Sequence, residues 1–150
     1  LIAGGWHIQE ETEYITQLKE RSLTILPKRC QWIGYVPDER LAVTYGAMDV
    51  FVYPSRFATE SGALITALSH GKAVVASDLP PFREKEKLGA LTTFKTVDGL
   101  RRKIRRLLRD VDERRRLEEG AKRYCRENSW SEVSKKHIQV YQEVIKGDER

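Results

Sequence analysis

Two apolar runs without alternation do most to limit what this chain can fold into: Asp-Val-Phe-Val-Tyr at 49–53 and Lys-Ala-Val-Val-Ala-Ser at 72–77. A strand with one wet face alternates apolar and polar residues, so unalternating runs belong to strands covered on both sides. Between them, residues 62–70 read as a short helix whose outer residues are mostly small or apolar. Gly71 suits the left-handed position just past its end. A buried strand, a helix and a second buried strand make the repeating unit of a parallel sheet. The fold class expected is therefore α/β, a Rossmann-like doubly wound parallel sheet.

The rest of the chain fits that scheme. Leu1-Ile2-Ala3 ending in Gly4-Gly5 reads as a strand meeting a tight turn, followed by a helix over 10–21 with Tyr14, Ile15 and Leu18 on one face. Residues 31–36 read as a second strand stopped by Pro37, which lacks a ladder donor. Asp38 is suited to cap a helix carrying Leu41, Ala42, Tyr45 and Met48. Residues 91–94 read as a last strand. Leu100, Ile104, Leu107, Leu108 and Val111 then follow the stripe of a helix packed on one side. Asn128-Ser129 marks a break, and Trp130, Val133, His137, Val140, Tyr141 and Val144 mark a closing helix over 130–145. No internal repeat or low-complexity linker interrupts the chain, so residues 1–150 read as one domain.

Composition narrows the class. The chain is 40% hydrophobic and 33% charged, which excludes disorder and membrane embedding. No apolar run approaches the roughly 20 residues that span a bilayer. The opening residues lack both a basic leader and an initiator Met, so the sequence reads as beginning inside a longer polypeptide. Cys30 and Cys125 have no paired spacing, and structural thiols in a reducing cytoplasm are expected. His7, His70 and His137 show no ligand spacing, so no metal is expected. The net charge of +5 is concentrated between Arg101 and Arg123, a run that either forms a solvated helix face or meets an anionic surface.

The stretch that can carry chemistry is 53–63, joining the carboxyl end of a buried strand to the start of a buried helix. Ligands of open α/β sheets sit outside the carboxyl ends of strands. A helix start there offers free backbone N–H groups and the positive end of the macrodipole. A phosphate against Ser61, Gly62 and Ala63 would satisfy them, and Gly62 lets an anion come close. Glu60, beside that phosphate, is better placed to accept hydrogen bonds from sugar hydroxyls than to hold a diphosphate. The bland alternative is that Ser61 only caps a helix and Glu60 is a solvated loop residue. The loop is neither a Walker A sequence nor GxGxxG.

Residues 34–84 resemble the C-terminal domain of the group 1 glycosyltransferases, which are retaining enzymes of the GT-B fold. The pieces that carry the resemblance are Gly34 to Val36, then 47–55 with Met48 inserted before Asp49, and 71–77 with Ala73 where the family has proline. The similarity extends over roughly residues 1–110, and the closing helix is similar to the family's last. The resemblance implies that Gly34, Tyr35 and Val36 border the nucleobase. It also implies that Ser61, Gly62 and Ala63 hold the donor diphosphate, and that Glu60 stands in for the acidic residue touching the donor sugar. The family's second, ribose-binding Glu falls on Thr66 counted from Gly71, or on Leu68 counted from Glu60. Neither is acidic, and Ala58 occupies the strict position of the first Glu.

On this resemblance the chain is the donor-binding half of a hexosyltransferase. The resemblance implies that the family's first strand and helix of this half, and its N-terminal acceptor domain, lie outside this sequence, and that the chain is expected to be inactive alone. The donor is a nucleoside diphosphate sugar and the acceptor a glycan or lipid-linked saccharide. The family needs no bound metal or other cofactor. Cytoplasmic placement is expected, with peripheral contact at the inner membrane face and no nucleic acid. Two other readings remain open: a regulatory or scaffold α/β domain binding an acidic partner or membrane through its basic helices, and a sugar-nucleotide epimerase of the same architecture.

Overall fold

The computed structural model describes residues 2–3 and 13–148. Its contacts gather into two compact units, Leu1–Gly46 and Ala47–Arg150.

In the first unit, β1 (Ile2–Ala3) lies parallel to β2 (Trp32–Gly34), with Ile2 opposite Trp32 and Ala3 opposite Gly34. The connection between them carries α1 (Glu13–Ile25), as a parallel pair requires. The expected helix over 10–21 starts outside the described residues and runs on to Ile25; the Gly4-Gly5 turn and His7 also lie outside them. Of its expected apolar face, Ile15 is buried while Tyr14 and Leu18 are exposed. The Trp32 indole N–H donates to Ser22 Oγ at 2.8 Å, and that hydroxyl donates to the Lys19 carbonyl at 2.8 Å, so β2 is tied to α1.

Two expectations in this unit need correction. The strand over 31–36 ends at Gly34 rather than at Pro37, because Gly34 turns into the left-handed region at φ 64°. Tyr35 and Val36 consequently lie in a loop. Asp38 is also not outside the next helix but in the first turn of α2 (Asp38–Gly46), and the Pro37 carbonyl accepts from the Arg40 N–H at 2.9 Å. Its carboxylate then acts on the positive end of the helix instead of capping it. Met48 falls beyond α2. Tyr45 is buried, which pushes its phenol pKa up.

The second unit holds the sheet β3-β4-β5, all parallel: β3 (Val50–Tyr53), β4 (Ala73–Ser77) and β5 (Thr92–Phe94). Val50 pairs with Ala73 and Tyr53 with Ala76; Val75 pairs with Thr92 and Ser77 with Phe94. Residues 73–76 are all fully buried although successive side chains point to opposite faces, so β4 is covered on both sides. That is what its lack of alternation requires. After β3 comes α3 (Gly62–Ser69), whose Leu64, Ala67 and Leu68 are fully buried. Gly71 follows it at φ 63°, the left-handed geometry expected there.

Nothing in the sequence reading anticipates α4 (Pro80–Lys87). Two prolines open it, where the missing N–H groups would have no helical partner anyway. Its Phe82 is fully buried and meets the Tyr53 ring edge-on at 5.7 Å. The stripe expected to run as one helix through Val111 is broken at Asp110, which ends α5 (Val97–Arg109) and caps α6 (Val111–Glu127). Its Oδ1 accepts from the Glu113 N–H at 2.9 Å. Leu107 is buried and Leu108, about 100° further round the same helix, is exposed; Val111, beyond the cap, is exposed as well. Gly120 of α6 sits so close to the Gly89 carbonyl that a Cβ there would overlap it. After Asn128 and Ser129, α7 (Trp130–Asp148) closes the unit. Cys30 and Cys125 are both free thiols, and burial pushes the Cys125 thiol pKa up, which suits an inert role.

Candidate functional site

The loop from Tyr53 to Glu60 leaves the carboxyl end of β3 and delivers the chain to α3. Ser55 Oγ donates to the Phe57 carbonyl at 2.6 Å, which holds the loop's first bend. Ser61 is the extended N-cap of α3, and its hydroxyl accepts from the Leu64 N–H at 3.2 Å. This is the capping arrangement that a serine before an apolar helix favours.

Glu60 folds back over the same turn. Its Oε1 accepts from the Ser61 N–H at 3.0 Å, and its Oε2 accepts from Lys85 Nζ at 2.9 Å. Two amides of the helix start, those of Ser61 and Leu64, are thus engaged within the chain. The Gly62 amide meets no acceptor among the described residues. Gly62 is exposed, and a Cβ on it would meet nothing within 4 Å, so the space over the first turn is open. Ala63 is exposed as well. Thr66 turns its hydroxyl inward along the helix and donates to the Gly62 carbonyl at 2.8 Å.

The structure therefore gathers Glu60, Ser61, Gly62, Ala63 and Thr66 on one helix start. Gly34, the last residue of β2, and Tyr35 and Val36, in the loop that follows it, belong to the first unit, where Tyr35 is exposed and Val36 half-buried.

Lys85 is the group that sequence reasoning missed. It sits in Arg-Glu-Lys-Glu-Lys at 83–87, a run in which every side chain looks solvated, yet its side chain is 7% exposed. Besides Glu60 it has the Pro81 carbonyl at 3.5 Å and the Tyr124 ring at 5.7 Å. A buried ammonium on one Glu60 oxygen and a backbone amide on the other fix that carboxylate's plane. It remains 55% exposed, with lone pairs open to a ligand.

A depression of about 480 Å³ lies elsewhere, between α4 and α5, lined by Asp78, Arg83, Glu86, Lys95, Arg102 and Lys103 among others. It does not include residues 60–66. Burial pushes the Glu86 carboxyl up there, but hydrogen bonds from the Thr93 hydroxyl and N–H and the Thr92 hydroxyl, with the Lys103 charge, outweigh it and hold Glu86 below the usual glutamate range. Among the described residues, no group of three or more His, Cys, Asp and Glu is placed to hold a metal ion, and no helix is long and apolar enough to cross a membrane.

Known proteins resemble the chain in sequence and in shape. The family described as "Glycosyl transferases group 1" matches residues 1–124. O-antigen chain mannosyltransferase B of Escherichia coli is 30% identical over 145 residues, covering 94% of this chain and 36% of that protein. The structure of sucrose-phosphate synthase from Thermosynechococcus elongatus superposes with a TM-score of 0.78 at 21% identity, over 97% of this chain and 38% of the other. Anabaena HepE in complex with UDP gives a TM-score of 0.69 at 19% identity, over 96% and 40%. The chain thus spans two-fifths or less of the length of each of these proteins.

Proposed function

The chain belongs to the group 1 glycosyl transferases, and from that premise we propose that it is the donor-binding part of a hexosyltransferase using a nucleoside diphosphate sugar. The observation that carries this reading is the open first turn of α3 at the carboxyl end of β3, with the fixed carboxylate of Glu60 beside it. A diphosphate approaching that turn meets the amide of Gly62 at the positive end of the helix. As the sugar leaves, charge builds on the diphosphate oxygen, and a dipole already aimed at it stabilises that charge without rearrangement.

Glu60, held by Lys85 and the Ser61 amide, accepts hydrogen bonds from the donor's sugar hydroxyls. Thr66 replaces the family's acidic ribose contact with a hydroxyl already committed to the Gly62 carbonyl, so the ribose is held more loosely. No step in this scheme calls for a metal. The acceptor is a glycan or lipid-linked saccharide presented at the cytoplasmic face of a membrane, and an acceptor domain completes the cleft. Bound to donor alone, this chain transfers nothing.

Calorimetric titration of UDP and GDP into the chain and into Gly62→Val tests the reading. Weak binding of one nucleotide by the parent and none by the variant is expected. No binding by the parent, or equal binding by both proteins, would count against it.

A further inference from the structure

The excess of cations between Arg101 and Arg123 is partly laid out on α5. At about 100° per residue, Arg101, Arg105 and Arg109 stack in one row and Arg102 flanks it, all within an arc of about 100°. All four are exposed, while Leu107 is buried and Leu100 and Ile104 are half-buried, so this arc is the helix's outer face. Like charges one turn apart repel, and a face that serves only solvation mixes signs. Here Asp98 is the single acid within α5, and it approaches Arg101 at 3.7 Å. Arg106, at the margin, is paired with Glu113. Arg102, Arg105 and Arg109 have no ion-pair partner among the described residues.

Apolar side chains border the row. Leu108 is 52% exposed on the line next to Arg101, and Val97 is 74% exposed where the helix begins. We infer that this face of α5 docks on an anionic lipid surface. The arginine stems lie along the headgroups while their guanidinium groups meet lipid phosphates, and Leu108 enters the interface. Nucleic acid fits less well, because α5 offers neither an aromatic ring for base stacking nor an Asn, Gln or Ser for base edges. The inference is independent of the donor site on α3.

Cosedimentation of the chain with vesicles tests it. Binding to phosphatidylcholine vesicles containing phosphatidylserine is expected, with none to phosphatidylcholine alone. Added salt should release the chain as the screening length falls towards about 3 Å near 1 M. Arg105→Gln should weaken binding about fivefold, the value of one cation at such a surface. The triple change Arg101→Glu, Arg105→Glu, Arg109→Glu should abolish it. The same change of charge on α7, Lys135→Glu, Lys136→Glu, Lys146→Glu, should leave most of it. Circular dichroism identifies any variant that fails to fold. Equal binding to both vesicle types, no binding by the parent, equal loss in the α7 variant, or tighter binding of duplex RNA at the same salt would each overturn the inference.

Discussion

Lys85 Nζ and Glu60 Oε2 meet at 2.9 Å from opposite surroundings, the lysine side chain 7% exposed and the glutamate 55%. The pair should therefore respond asymmetrically to mutation. Glu60→Ala strands a buried ammonium and should cost about 1–3 kcal/mol. Lys85→Met keeps the volume and leaves a carboxylate that water can reach, so it should cost under about 1 kcal/mol. Urea midpoints for the two variants measure this, and a larger loss for Lys85→Met would show that the ammonium does more than answer Glu60.

Gly120 offers a test of packing at the α6 crossing. Gly120→Ala places a methyl group on the Gly89 carbonyl, and overpacking of this kind costs about 1–3 kcal/mol. By contrast, Gly46→Ala, with nothing within 4 Å of its Cβ, should be neutral or slightly stabilising. Thermal melting of both proteins should separate them.

These sites differ in how plainly the sequence announces them. The strand at 73–77 is legible because covering both faces removes the polar residues, whereas the similar run at 50–53 forms a strand whose four residues are only half-buried; Gly71 is legible because little else tolerates its backbone angle. The cap at Ser61 is legible for the same local reason. Helix α4 is not, since its sequence has Phe82 as its one large apolar residue among prolines and charges. Lys85 is illegible in principle: alternating charges at 83–87 give no sign of which one the fold buries. The break at Asp110 hides inside a stripe whose spacing continues across it.

Asp110 ends one helix and begins another, so its removal should loosen both. Asp110→Ala loses the bond to the Glu113 amide and should cost about 1 kcal/mol, read as a lower melting temperature. An unchanged melting temperature would mean that packing of Leu107 alone sets the bend.

Glu86 gives the pH dependence a sign. Its carboxyl is depressed in the folded chain relative to an ordinary value of 4.5, so its contribution is complete above that value. The contribution is lost as pH falls below it through the lower folded value. Glu86→Gln should therefore be less stable than the parent at pH 6, and the difference should shrink as pH falls below 4.5. Urea denaturation across that range checks it.

That carboxylate has a second consequence, for how molecules of this chain treat one another. β5 is the outermost strand of its sheet, and the N–H of Thr93 on its outer side is already taken by Glu86 Oε1 at 2.7 Å. A neighbouring chain seeking to extend the sheet would find that rung occupied and a negative charge guarding it, so stacking into fibrils is discouraged where it would start. Protonating Glu86 removes the guard, so acid strong enough to reach its lowered pKa is the condition under which such polymers should form first.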